Sequence, residues 1–148
     1  MPRTANDGHY ECVPDYEILE HTADIGVLAR GRSLAEVFEY ATRALAEIAG
    51  IWDPGSGEKV TIEVEAEDPG ALLVDWLSEV LYLEDGRRAA IRGVEMDRVV
   101  PGCASGSIAL GPLSSDSVEG VQVKAVTYHQ LLVEEGPSGW TARVFFDI

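Results

Sequence analysis

The sequence has little positive charge, and this shortage excludes two classes of partner. Only 11 Lys and Arg residues face 26 Asp and Glu residues, so the formal net charge is -15, and the only lysines are Lys59 and Lys124. Such a surface repels phosphate backbones and anionic lipid headgroups. We therefore expect no direct nucleic-acid binding and no binding to a membrane. The charge suits a cationic protein partner, a bound metal ion or a high-salt environment.

Cysteines and long apolar segments are also scarce. Cys12 and Cys103 are far apart, and no CxxC or Cys/His metal-binding spacing is present. We expect two free thiols in a reducing cytosol, with one disulfide as the alternative. No segment approaches the roughly 18 apolar residues of a membrane span, and the N-terminus lacks the apolar run of a signal peptide. These absences predict a soluble, cytoplasmic protein.

The composition that remains is that of one ordinary domain. The chain has 148 residues, of which 46% are hydrophobic and 25% charged, so it can form a single core. Residues 1–14 are polar and end at Pro14, which predicts a flexible tail. Residues 15–148 are then expected to form the folded domain.

Helical periodicity occurs twice. Ser33 and Glu36 form a capping box, and apolar residues recur at helical spacing from there until Gly50. A second helix is predicted to begin at Asp68 and Pro69 and to end at Gly86. Its buried face would consist of Leu72, Leu73, Trp76, Leu77, Val80 and Leu81.

Strand patterns occupy most of the remaining chain. Alternation predicts strands at 58–66 and 140–148, and strand composition favours 16–19, 26–30, 87–96 and 121–133. Residues 134–139 have the composition of a hairpin connection. Region 97–118 is rich in Gly, Ser and Pro and determines neither strand nor loop. Two helices and about seven strands predict an α+β two-layer sandwich, with both helices on one face of a largely antiparallel mixed sheet.

The chain contains no nucleophile elbow, phosphate-binding glycine loop, HExxH pair or Ser/His/Asp signature. Instead, an imidazole and a carboxylate occur in the link between the first two predicted strands, where Gly, Ser or Lys would be expected. His21 and Asp24 could hold a cation or orient a proton. The alternative is that Asp24 caps a turn and His21 binds a backbone carbonyl.

The C-terminus is a second position with unexpected polar groups. Asp147 is the penultimate residue of a regular strand, so its side chain lies close to the terminal carboxylate of Ile148. Two carboxylates held together repel unless a cation lies between them, and Ca²⁺, Mg²⁺ and Mn²⁺ prefer such oxygen ligands. A frayed, solvated terminus is the alternative. Lys124 lies in an apolar strand and is either functional or a solvated edge charge. Glu79, on the polar face of the second helix, is expected to be solvated.

Four segments, in this order and spacing, make the chain resemble the archease family: YEILEHTADIG at 16–26, LLVDWLSEVLYL at 72–83, VKAVTYH at 123–129 and FFDI at 145–148. The resemblance covers the chain from about residue 15 to its end. It implies a small α+β domain related to the strand-helix-strand-strand module.

The resemblance also implies a function. Archease proteins assist the RtcB-type RNA ligase of tRNA splicing, which uses GTP and Mn²⁺ through a guanylylated histidine. They promote guanylylation and multiple turnover and can relax the nucleotide preference of the ligase. On this basis the chain is expected to be a non-catalytic activator. An older family role, as a metal-independent chaperone or modulator of a tRNA methyltransferase, is the alternative.

Site residues follow from the resemblance by position. Asp24, Asp147 and the carboxylate of Ile148 match the family's metal ligands, and His21, Glu79 and Lys124 would form an accessory polar cluster. The ion would be divalent: Ca²⁺ in the isolated protein, with Mn²⁺ or Mg²⁺ as alternatives. A third interpretation, a metal-dependent hydrolase, is disfavoured because nucleophile and base motifs are missing.

Overall fold

Seven strands and two helices make up the described part of the chain, which comprises residues 13–20, 24–87, 89–113 and 120–148 of a computed structural model. In chain order they are β1 (Asp15–Glu20), β2 (Asp24–Gly31), α1 (Leu34–Ile48), β3 (Glu58–Glu65), α2 (Pro69–Arg87), β4 (Ala89–Val100), β5 (Cys103–Pro112), β6 (Ala125–Gly136) and β7 (Gly139–Asp147).

The strands form two antiparallel sheets. The first has the order β1-β2-β7-β6 and the second the order β3-β5-β4. Helix α1 contacts β2 and β4, and α2 contacts β6 and β3, so each helix packs against both sheets. The predicted α+β class, with two helices against antiparallel strands, is confirmed. The strands divide into two sheets where one was expected, because alternation assigns the faces of a strand but not its neighbours.

Both ends of α1 are capped as the sequence predicts. The Ser33 hydroxyl accepts a hydrogen bond from the Glu36 N–H at 3.1 Å, and the Glu36 carboxylate accepts one from the Arg32 N–H at 2.8 Å. At the other end Gly50 has φ 74°, and its N–H and that of Ile51 donate to carbonyls of the last helical turn. This is a Schellman cap, in which glycine adopts the left-handed conformation without a steric cost.

Helix α2 begins at the predicted position. The Asp68 carboxylate accepts the Ala71 N–H at 2.8 Å, and Pro69 occupies the first helical position, where no N–H is needed. The helix ends at Arg87, one residue beyond the expected stop. The predicted apolar face is confirmed, since all six of its residues are buried: Leu72, Leu73, Trp76, Leu77, Val80 and Leu81.

A buried hydrogen bond joins the two helices. The indole N–H of Trp76 donates to the Thr42 hydroxyl at 2.8 Å, and that hydroxyl donates to the Phe38 carbonyl at 2.7 Å. Both Thr42 and Trp76 are fully buried. Thr42 is also the only fully buried polar residue in the described part of the chain. The bond therefore fixes the relative position of the helices within an otherwise apolar core.

Replacing Thr42 by Val should lower the free energy of unfolding by about 1–3 kcal/mol, because the Trp76 N–H would lose its acceptor in a site that water cannot reach. Urea unfolding followed by tryptophan fluorescence measures this loss. Thr42→Ser is the matched control, since it keeps the hydroxyl and removes only a methyl group. Equal stability of Thr42→Val and the parent would contradict a structural role for the bond.

The region that the sequence left undetermined, 97–118, contains the end of β4 and the whole of β5. In β5 the residues alternate between buried and half-buried positions, and Ala104, Gly106, Ile108 and Leu110 face the core. The predicted 121–133 strand begins later, at Ala125, and continues to Gly136, so the β6–β7 connection is shorter than the six residues expected.

Several predictions fall on residues outside the described ranges. These are residues 1–12 of the predicted tail, which include Cys12, and His21 of the link between β1 and β2. Cys103 is a free, half-buried thiol in β5. Within the described ranges, neither helix is long and apolar enough to span a membrane.

Candidate functional site

Asp24 and Asp147 lie directly opposite each other on neighbouring strands. Asp24 is the first residue of β2, Asp147 is the last residue of β7, and the antiparallel register pairs their Cα atoms. Residues paired in this way have Cβ atoms about 4.5–5.5 Å apart, with both side chains on the same face of the sheet. The structure therefore brings together the two aspartates that the sequence singled out from opposite ends of the chain.

The aspartate pair points away from the helices. Ile25 and Val27 of β2, and Val144 and Phe146 of β7, belong to the main core, so the alternate positions occupy the opposite face. Asp24 is half-buried and Asp147 exposed on that face. The carboxylates are consequently accessible to an ion or a partner from outside the molecule.

The start of β6 completes this end of the sheet. Ala125 pairs with Asp147 on the side opposite to Asp24, and the Lys124 N–H donates to the Asp147 carbonyl at 2.8 Å. Ile148 follows directly and is half-buried. Lys124 precedes β6 rather than lying within a strand, contrary to the expectation from sequence. We call Asp24, Lys124, Asp147 and Ile148 the carboxylate end of the four-stranded sheet.

The remaining predicted site residues are Glu79 and His21. Glu79 is exposed on α2, as expected for a solvated residue. No hydrogen bond or ion pair between described residues links Glu79 to Asp24, Lys124 or Asp147. His21 lies outside the described residues. The accessory cluster thus stays a prediction for His21 and Glu79, whereas the backbone of Lys124 is placed beside Asp147.

The carboxylate end offers the ligand chemistry that a hard divalent ion requires. Like charges directly opposite on neighbouring strands destabilise a sheet, and no ion pair between described residues neutralises Asp24 or Asp147. A cation bound between them would remove this repulsion, and carboxylate oxygens are the ligands that Ca²⁺, Mg²⁺ and Mn²⁺ prefer.

Two side chains alone do not make a complete metal site. In the described part of the chain, no three His, Cys, Asp or Glu side chains are grouped so that they could hold a metal. A site at the carboxylate end would therefore need further oxygen atoms, such as the Ile148 carboxylate, backbone carbonyls or water. The residues fit a divalent ion only with these additions.

An aromatic cluster supports the carboxylate end, and the sequence reasoning did not find it. Phe145 is buried on the same face as Asp147, outside the main core, and its ring covers Gly26. A Cβ on Gly26 would lie 2.7 Å from Phe145 Cε2. The His129 ring meets Phe145 edge-on, with centroids 6.0 Å apart. An isolated glycine within a strand was the available signal, since it often marks a close approach.

A separate cleft of about 270 Å³ lies beside α1 and β4 and contains none of the predicted site residues. Burial raises the pKa of Glu39, whose carboxylate accepts the Met96 N–H at 2.9 Å. The Arg43 guanidinium lies over the Trp52 ring at 5.1 Å. These contacts join α1 to β4 and to the segment after α1, so we assign them a structural role.

The chain is thus an α+β domain with two facing aspartates at one end of its four-stranded sheet. Its sequence contains none of the enzyme motifs considered above. Residues 16–148 match the model of the archease protein family, so the chain belongs to that family. Archease of Methanosarcina acetivorans is 41% identical over 144 residues, which cover 90% of this chain and 95% of that protein. Archease of Archaeoglobus fulgidus is 37% identical over 140 residues, which cover 90% of this chain and 98% of that protein.

Two solved structures have the same fold. The solution structure of a Methanobacterium thermoautotrophicum protein, 30% identical in sequence, superposes with a TM-score of 0.72. The match covers 90% of this chain and 98% of the Methanobacterium chain. A crystal structure of a Thermotoga maritima protein, 25% identical in sequence, superposes with a TM-score of 0.62. The match covers 95% of this chain and 99% of the Thermotoga chain. The Thermotoga protein is described as an archease and a possible chaperone.

Proposed function

We propose that this archease is a non-catalytic partner of an RtcB-type RNA ligase and that it promotes guanylylation and multiple turnover of that ligase. The observation that carries the proposal is the pairing of Asp24 with Asp147 on an outward face. Two carboxylates at that position, with no ion pair to any described residue, are costly for the isolated fold and useful for holding a cation at an interface. The chain contributes no nucleophile to this step.

The residues of the carboxylate end have distinct parts in the proposal. Asp24 and Asp147 supply charged oxygen ligands, and Ile148 supplies its terminal carboxylate. The Lys124 N–H donates to the Asp147 carbonyl at 2.8 Å and so holds the backbone of Asp147 in place. A divalent ion held there would supply charge neutralisation and orientation for a nucleoside triphosphate, the main requirements of phosphoryl and nucleotidyl transfer. Contact with this triphosphate is also how the protein would relax the nucleotide preference of the ligase.

Guanylylation of a purified cognate ligase tests the proposal. The ligase is incubated with GTP and Mn²⁺, with and without this protein, and the covalent ligase–GMP is quantified over time. We expect the protein to increase the rate of guanylylation while forming no covalent GMP adduct itself. Equal rates with and without the protein would refute the proposal.

The terminal carboxylate can be tested separately from the aspartates. Adding two residues after Ile148 converts its carboxylate into a peptide group, which should weaken Ca²⁺ or Mn²⁺ binding by about 10-fold or more because a charged ligand is lost. Calorimetric titration of the protein alone measures the affinity. Ile148→Val is the control, since it keeps the terminal carboxylate in place. Unchanged affinity in the extended protein would remove Ile148 from the site.

A second candidate function is metal-independent chaperoning of an RNA-modifying enzyme such as a tRNA methyltransferase. It is favoured by the description of the Thermotoga relative as a possible chaperone and by the absence of a three-residue metal cluster among the described residues. Binding through the acidic surface would weaken steeply with salt and would be insensitive to Asp24 and Asp147. Binding that depends on both aspartates and on a divalent ion favours the ligase proposal instead.

A further inference from the structure

The pairing of β6 with β7 is interrupted close to the carboxylate end. Thr127 pairs with Phe145, and the next pair is Leu132 with Arg143. Four residues of β6, 128–131, thus stand opposite the single residue Val144, whereas an ordinary β-bulge adds one residue. We call residues 128–131 the β6 bulge. It begins three residues after Ala125, the partner of Asp147.

Specific contacts hold the β6 bulge in one conformation. The Arg143 Nε–H donates to the Gln130 carbonyl at 2.9 Å, and the His129 N–H donates to the Thr127 hydroxyl at 3.2 Å. Gln130 has φ 51°, and no other non-glycine residue in the described ranges has a positive φ. A non-glycine residue in this conformation costs about 1–3 kcal/mol and persists only where its surroundings impose it, often at functional sites.

The contacts leave one large side chain outside. His129 packs against Phe145, and Leu131 packs against the start of α2, where a Cβ on Gly70 would lie 2.9 Å from its Cδ2. Tyr128 between Thr127 and His129 is 61% exposed. The β6 bulge therefore presents an aromatic ring to solvent, three residues along β6 from Ala125, which pairs with Asp147.

We propose that Tyr128 anchors the ligase on this protein and that the β6 bulge exists to present it beside the carboxylate end. This inference rests on the proposed function, which supplies the identity of the partner. Tyrosine is among the residues that carry most binding energy at protein interfaces, because it buries a large area with few rotatable bonds. The partner surface would be a recess for the phenol ring within a basic rim.

The net charge of this protein indicates whether the partner at this surface is a protein or a nucleic acid. The protein has a net charge of -15. Asp147, on the neighbouring strand β7, pairs with Ala125 three residues before the β6 bulge, and Asp24 lies beyond it on β2, paired with Asp147. A polyanion such as RNA would be repelled from this surface, whereas a basic protein surface would be attracted to it. Docking by Tyr128 would then bring Asp24 and Asp147 to the part of the ligase that binds the triphosphate.

The test compares two exposed tyrosines. Tyr128→Ala should weaken binding to the purified cognate ligase by about 30-fold, the loss typical of an interface hot spot. Tyr82→Ala is the matched control, because Tyr82 is 78% exposed but lies on α2, and it should bind like the parent. Calorimetry with Mn²⁺ alone should give Tyr128→Ala the metal affinity of the parent within about twofold. A thermal melt verifies that both variants fold.

The outcomes separate this inference from the proposed function. Parental binding by Tyr128→Ala, or an equal loss in Tyr82→Ala, overturns the anchor while the ligase proposal stands. Loss of binding in Tyr128→Ala together with full guanylylation by Asp24→Asn supports the anchor and refutes the metal role. A parent protein that does not bind the ligase overturns both.

Discussion

Asp24→Asn and Asp147→Asn are each expected to reduce ligase guanylylation to the level of the ligase alone and to weaken divalent-ion binding by at least about 100-fold. Replacing even a residue that supports a metal ligand costs 10–100-fold in affinity, so removing a charged ligand should cost at least as much. Asparagine keeps the shape of aspartate, which confines the change to charge. Guanylylation assays and calorimetry with Mn²⁺ or Ca²⁺ measure the two effects.

The same variants should change stability in opposite directions with and without metal. In a chelator the two carboxylates repel across the β2–β7 pair, so each Asn variant should melt at a higher temperature than the parent. With saturating metal the parent should melt higher, because ion binding stabilises the folded state only where the ligands are intact. Asp97→Asn, an equal charge change at an exposed residue of β4, is the control. An Asn variant that retains metal binding and stimulation would remove its aspartate from the site.

Gly26→Ala is expected to lower the free energy of unfolding by about 1–3 kcal/mol and to weaken metal binding as well. The added Cβ would meet the ring of Phe145 at 2.7 Å, and overpacking of this kind displaces side chains and backbone. Gly26 and Phe145 are paired in register, and each lies two residues from an aspartate of the pair. We therefore expect movement of the ring to shift these strand ends and to change the separation of the two carboxylates. Urea unfolding and metal titration measure both consequences.

Gly93→Ala is the matched control for this change. Gly93 also lies in a strand, and a Cβ there would come no closer than 4.0 Å to Ala109. Combining Gly26→Ala with Phe145→Leu should recover part of the stability, because the smaller side chain makes room for the methyl group. Parental stability and metal affinity in Gly26→Ala would show that the aromatic cluster does not position the aspartates.

Local sequence patterns predicted the helices because the signals for starting, stopping and burying a helix are all local. Ser33, Gly50 and Asp68 act through hydrogen bonds within four residues of the chain, and these bonds are present. The buried face of α2 follows from helical spacing alone. Such features need no knowledge of what the helix packs against.

The sequence left the region of strand β5 undetermined between strand and loop, because its small residues are also typical of turns. Gly106 faces the core in the central strand of the β3-β5-β4 sheet, and a Cβ there would lie 2.6 Å from the Glu95 carbonyl oxygen. The glycine is present for close packing between strands and not for turn formation. Alternation of the small and apolar residues Ala104, Gly106, Ile108 and Leu110 was the signal that could have revealed the strand.

The aspartate pair was predictable only in part. The sequence shows that Asp24 and Asp147 flank strands, but the pairing of β2 with β7 joins residues more than 100 positions apart, and no local pattern specifies it. The family resemblance supplied that connection. It did not reveal the β6 bulge, because the strand composition of 121–133 predicts one continuous strand, and the interruption is seen only in the register with β7.

Multiple-turnover RNA ligation tests the central claim most directly. A cognate RtcB-type ligase is supplied with GTP, Mn²⁺ and an excess of RNA ends, with and without this protein, and joined RNA is counted per ligase molecule. We predict about one product per ligase without the protein and many with it, and a return to about one when Asp24→Asn or Asp147→Asn replaces the parent. Equal product counts with and without the parent protein would contradict the account.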